Sequence, residues 1–338
     1  ALAAAKSVAD FGLWGGLTPD SLDHMPAIAD RGVVGFKAFM CATGIDDFQH
    51  ADPDTLAEGM TIAAKLGALV AVHAERQETA VALRARADAS GKRDWCAYLN
   101  SRPPLLEVVA VQEALALAKD TGCRLHVVHV SVPYAVELVR QAQADGVDVT
   151  CETCPHYLAF TEDDLLERGA ALKCAPPLRT SDAAAQLWED LGADRFAFVA
   201  SDHSPCPPEL KDVDDPFDVW GGIAGVQSTR SVLLGGEPIL KPTAVAALTA
   251  ANVADRFGID GKGRISPSFD ADLALVDVGC RYELTTDMLL DRHKLSPYVG
   301  RTMTGLTCRT ILRGTTTFLD GRIVAEPCGR LLTPRRSS

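Results

Sequence analysis

The sequence has no apolar run approaching the ~18 residues of a membrane-spanning helix. Residues 1–10 carry neither the basic start nor the apolar stretch of a secretory leader. Positive charge is also scarce, with 33 Lys and Arg against 45 Asp and Glu and a net charge of −12. Nucleic acids and anionic membranes need clustered basic side chains, so neither is expected as a partner. There is no disulfide framework: the ten cysteines are scattered, and Cys151 and Cys154 form a Cys-x-x-C with no second pair to complete a zinc ribbon. Reduced thiols in a cytoplasmic protein are the expectation.

What is present is enough apolar sequence for a sizeable core, 47% hydrophobic against 23% charged, which excludes a disordered chain. Short apolar, β-branched runs at 7–13, 33–39, 68–75, 124–131, 147–153 and 196–201 alternate with Ala/Leu-rich helical patterns at 18–31, 53–65, 107–120 and 134–144. Gly32, Gly67, Gly122 and Gly146 stand where helices should stop. Alternation of this kind predicts βα units and a parallel sheet. Five of the six runs end in a reactive side chain, and no Gly-rich phosphate loop is found. That favours a (β/α)8 TIM-type barrel, whose catalytic groups sit at the C-terminal ends of many strands, over an open doubly wound sheet. Beyond about Asn252 the pattern changes, and 263–265, 271–277 and 310–314 read as short strands of a small C-terminal β-sheet domain. The expected division is a barrel over 1–254, a small β-sandwich-like domain over 255–332 with returning segments, and a frayed tail over 333–338.

Lys37, in Gly35-Phe36-Lys37-Ala38-Phe39, lies inside a strand, where an ammonium must be paired, neutral or modified. His73 ends the third run, and the fourth contains His126 and His129. Side chains on a strand alternate faces, so only one of those two should face the barrel interior; His129 is nearer the C-terminal end and is the expected one. His156 follows the fifth run and Asp202 closes the sixth. Each alone has an ordinary packing or capping explanation. Together, Lys, His, His and Asp at four strand ends converge on one barrel mouth, a donor set that suits Zn²⁺ or a similar divalent ion.

These motifs resemble the amidohydrolase superfamily, and within it the cyclic branch that holds dihydroorotases, hydantoinases and allantoinases. In that family a strand lysine carries a CO₂-derived carbamate and bridges two metals, and Gly-Phe-Lys-Ala-Phe matches it at Lys37. The family's single-histidine ligands match His73 in Val-His-Ala-Glu and His129 in His-Val-Val-His-Val-Ser, and its metal-bound, proton-shuttling aspartate matches Asp202 in Ser-Asp-His-Ser-Pro-Cys. His156 in Glu-Thr-Cys-Pro-His-Tyr-Leu is a further landmark, and Cys174, Ser204 and Gly222 line up with substrate-contacting positions. The stretches from Phe39 to Gly44, Asp202 to Lys211 and Trp220 to Gln227 are similar to those of the allantoinases. The resemblance implies two divalent ions, with Zn²⁺ as the metal, and a homotetramer that opens the ring of (S)-allantoin to give allantoate. A hydantoin, dihydropyrimidine or dihydroorotate ring, or a non-catalytic scaffold role, are the alternatives. Two departures stand out. The family's first strand ends in His-x-His, which occurs nowhere here, so the chain is expected to lack its first two βα units. Ser266-Pro267-Ser268-Phe269-Asp270 also lacks the usual glycine before its aspartate.

Overall fold

The computed structural model describes residues 2–45 and 47–335. Six parallel strands form one sheet in simple sequential order: β1 (Trp14–Gly16), β2 (Gly35–Phe39), β3 (Leu69–His73), β4 (Arg124–Val127), β5 (Val149–Thr153) and β6 (Phe198–Val199). Helices join successive strands, as right-handed parallel crossovers require. The helix Pro53–Lys65 shows how local sequence sets its limits. Asp52 accepts the Thr55 N–H at 2.8 Å, a proline opens the first turn, and Gly67 (φ 59°) follows the last. The other three punctuating glycines, Gly32, Gly122 and Gly146, also have positive φ.

The first strand is a correction. It was expected at 7–13 and lies at Trp14–Gly16, pairing Trp14 with Gly35, Gly15 with Phe36 and Gly16 with Lys37. The packing there has room only for glycine: a Cβ on Gly15 would lie 2.8 Å from both Ile28 and Phe36. The segment 263–265 is likewise a turn and not a strand, with Ile265 91% exposed.

The sheet is curled. In a flat sheet β2 and β6 would stand ~19 Å apart, four strand spacings, yet the charge of Asp202, just past β6, acts on Lys37 of β2. Phe257 makes the same point at the other end of the strands. Its ring lies 5.4 Å from Trp14 of β1, 6.1 Å from His126 of β4 and 5.8 Å from Phe198 of β6. Among the described residues β1 and β6 do not pair, and the six strands make one curled wall. Outward-facing Ala38, Val70, Val72, Leu125, Val127 and Cys151 pack with helix residues such as Ala63, Ala110, Ala114 and Val139 in one buried core. Inward-facing residues line up across the sheet as Gly16, Lys37, Ala71, His126 and Thr150.

A four-stranded antiparallel sheet follows, ordered β10-β9-β8-β7, from β7 (Leu273–Glu283), β8 (Thr302–Leu312), β9 (Thr315–Leu319) and β10 (Arg322–Ile323). Between β7 and β8 the chain returns to the barrel, where Tyr298 is fully buried against Phe160. Asp10 ties the N-terminal segment to this region through Lys262 (2.6 Å), Arg313 and the Arg330 N–H (2.8 Å).

Candidate active site

The C-terminal ends of the strands bring Lys37, His73, His129 and Asp202 together. His73 Nδ1 and His129 Nε2 are 3.0 Å apart, and their rings meet edge to face. Lys37 Nζ sits 4.3 Å from the centre of the Phe39 ring, is buried, and has no hydrogen-bond partner. Burial lowers its ammonium to about 8, against the pull of Asp202, Glu152 and Cys41. His129 is pushed well below the ordinary imidazole range, first by burial, then by the charges of His73 and Lys37. Partial dehydration among these groups raises the Asp202 carboxyl, against the attraction of Lys37.

Alternation failed for the two histidines of the fourth run. Both face the interior, at different depths. His126 lies within β4, stacks on Phe198 at 4.7 Å and bonds to Thr150 (2.7 Å) and Glu152 (3.1 Å) of β5. The strand ends at Val127, and His129 takes a left-handed φ of 43°, which breaks the two-residue period and turns its side chain inward as well. Asp202 has the same rare backbone, φ 42°. Non-glycine residues at such angles cost energy and gather at functional sites.

Around these four stand groups that the sequence reading did not single out. Glu75, fully buried, accepts from His73 Nε2 at 3.0 Å and from Arg102 Nη1 at 2.5 Å. It lies two residues beyond His73, and the strand period alone would have placed it on the same side. Cys41 is close enough for its sulfur, His73 and Glu75 to share one small space. Cys41 and Glu75 outweigh the burial of His73 and raise its imidazole to about 9.

The donor set fits a divalent cation. Glu75 receives one ring nitrogen of His73, which turns Nδ1 toward His129; ligating histidines commonly have such a carboxylate on their far side. Nδ1 of His73 and Nε2 of His129 face each other across 3.0 Å, two donor atoms side by side. The Lys37 nitrogen is buried with no hydrogen-bond partner, so its amine is not engaged elsewhere and is open to modification beside these imidazoles.

The remaining expected residues are His156, Cys174, Ser204 and Gly222, the first two buried. His156, 1% exposed, has neither ring nitrogen paired and is held neutral by burial, its imidazole down to about 3. Cys174 is buried, and its carbonyl accepts the Tyr98 hydroxyl at 2.9 Å. Ser204 and Gly222 touch so closely that a Cβ on Gly222 would lie 2.4 Å from Ser204 Oγ. They share a cleft with Cys206, Lys211 and Pro297.

Comparison with known proteins agrees with this arrangement. The sequence matches the model of the amidohydrolase family over residues 2–324. It is 51% identical to an allantoinase of Rubrobacter xylanophilus and 48% identical to one of Deinococcus radiodurans, in each case over 99% of this chain and 75% of the relative. Among solved structures, the L-hydantoinase (dihydropyrimidinase) of Arthrobacter aurescens superposes with a TM-score of 0.95 at 34% identity, covering 98% of this chain and 75% of that one. No helix among the described residues is long and apolar enough to cross a membrane. With a lysine, two histidines and an aspartate gathered at the strand ends of such a sheet, the chain belongs to the amidohydrolase family.

Proposed function

We propose that this protein is a metal-dependent hydrolase that opens the ring of (S)-allantoin to give allantoate. The observation that carries the reading is the convergence of Lys37, His73, His129 and Asp202, with the two imidazole nitrogens 3.0 Å apart. The substrate rests on the relatives named allantoinase. Two divalent ions, Zn²⁺ in this reading, would supply Lewis acidity toward water and the ring carbonyl.

The chain's own residues do the rest. His73 and His129 offer Nδ1 and Nε2 as ligands, and Glu75 holds the His73 ring in place. Lys37, buried and unpaired, would in its neutral form add to CO₂, releasing a proton, and the carbamate oxygens would then help to hold the ions. Asp202 takes the proton of the attacking water and passes it to the leaving amide nitrogen, acting as base and then as acid. Its raised carboxyl suits a group that must both accept and return a proton. His156, Cys174, Ser204 and Gly222 form the wall against which the ureide lies. The family resemblance extends the reading to a cytoplasmic homotetramer, testable by mass in solution.

The test is hydrolysis of allantoin beside hydantoin, dihydropyrimidine and dihydroorotate by metal-loaded protein, with metal content measured on the same sample. Turnover of allantoin well above the other rings is expected. Preference for another ring would overturn the substrate, and activity that survives full chelation would overturn the metal.

A further inference from the structure

Two lysines outside the metal centre, Lys173 buried and Lys211 half-buried, reach across between the same two segments in opposite directions. Lys173, 5% exposed, extends from the segment before Cys174 and donates to the carbonyls of Phe217 (2.9 Å) and Val219 (2.6 Å). Lys211 extends back and donates to the carbonyls of Ala170 (2.9 Å) and of Lys173 itself (3.2 Å). The loop they grip is closed at its base, where the Ser204 N–H donates to Ile223 O at 3.0 Å. Within it, the Trp220 N–H donates to Leu210 O at 2.9 Å and its indole to Ser204 O at 3.2 Å. Tyr98 stands under both sides: its hydroxyl bonds Cys174 O, its ring meets Phe217 at 5.9 Å, and Lys173 Nζ lies 4.8 Å above it.

Among the described residues neither ammonium has an ion-pair partner, and the contacts that hold both are backbone carbonyls. A buried cation among carbonyls is costly, and its retention calls for a reason beyond packing. Burial, with Arg102 and Lys211 nearby, lowers Lys173 to about 7. A neutral amine still has two N–H donors, and two carbonyls face it.

We propose that Lys173 and Lys211 form a reciprocal clasp that fixes the distance between the Cys174 wall and the Ser204–Gly222 wall, and so sets the width of the ureide site. They are positioning residues: they touch the loop carbonyls and not the reacting atoms. The clasp spans one segment beside Cys174 and one loop bounded by Ser204 and Gly222, so the spacing of the walls follows its length. It favours a compact, flat, amide-rich ring whose edge can reach backbone groups on both sides at once.

The inference rests on the allantoin reading only for its kinetic arm. Lys173→Met and Lys211→Met are compared with the parent, all metal-loaded, by hydrogen exchange and by allantoin kinetics. Exchange in peptides covering 208–222 should quicken about tenfold in both variants, while the helix Pro104–Thr121 stays as protected as before. KM should rise about tenfold, more than any fall in kcat, with metal content unchanged. The double variant should be little worse than Lys173→Met, because both lysines serve one closure. Unchanged exchange in 208–222 with KM within twofold would overturn the clasp, as would exchange that quickens equally throughout the barrel. A parent that leaves allantoin untouched would count against the substrate reading, while the exchange arm would still decide the clasp.

Discussion

The Oε2 atom of Glu75 receives both the Arg102 guanidinium, at 2.5 Å, and the His73 ring, at 3.0 Å, so one buried oxygen orients a ligand and is itself held ionised. Burial alone would raise this carboxyl, and Arg102 followed by His73 outweighs it, holding the group down to about 2. Glu75→Gln keeps the shape and loses the charge. Metal affinity is expected to fall by about 10–100-fold, the usual loss for a carboxylate behind a ligating histidine. Competition with a metal-binding dye measures it, and unaltered affinity would remove Glu75 from the site.

Lys37 gives the sharpest test of the bridging role. Lys37→Ala is expected to lose activity by more than ~100-fold, beyond the typical cost of an outer group, together with at least one ion per chain. A short carboxylic acid in the buffer should restore part of both by filling the vacated bridge. Lys37→Arg should not respond, because a permanent guanidinium fills the space and repels cations. Near-normal turnover of the arginine variant would make Lys37 a structural residue.

Much of this site could be read from the chain because His73 and Asp202 end apolar runs, and a parallel sheet delivers such ends to one mouth. Lys37 was visible for another reason, as a charge in the middle of an apolar strand. His126 was set aside because the two-residue period was assumed to continue to His129, and nothing in Val127-Val128-His129 announces a left-handed residue. The first strand was expected at 7–13, whereas it is the glycines at 15 and 16 that fit the space left by Ile28, Phe36 and Phe48, a demand that only the packing reveals. The lysines at 173 and 211 were unreadable for another reason: their partners are carbonyls, which every residue carries, so the sequence holds no sign of where they point.

Gly222 tests the proposed ureide wall. A methyl group there would meet Ser204 Oγ at 2.4 Å and Ser204 O at 2.6 Å, too close for any real contact. Gly222→Ala should therefore shift the Ser204 wall. KM is expected to rise about tenfold, equal to ~1.4 kcal/mol, while bound metal stays at the parent level. A KM within error of the parent would place the substrate elsewhere.

Acid stability should report on Asp10. Its carboxyl is lowered, because Lys262, Arg313 and the Arg330 N–H together outweigh burial. A depressed carboxyl adds stability that is present above its unfolded value, ~3.9, and lost as pH falls through the folded one. Asp10→Asn should be less stable than the parent by about 2 kcal/mol near pH 6, with the gap closing below about pH 4. Urea unfolding across that range is the measurement; a gap that widens on acidification would contradict the assignment.

Phe257 has a mechanical meaning. A closed barrel is a hoop whose tension is carried around the ring by backbone hydrogen bonds. Where the strands begin, one aromatic ring meets Trp14 of β1, His126 of β4 and Phe198 of β6. The ring acts as a bolt through three staves. β1 and β6 cannot part at that end without drawing it out, and it is anchored in the helix Asn252–Phe257. Opening of the wall is thereby coupled to the displacement of that helix, so the sheet should loosen as a unit with it and not fray strand by strand from either side.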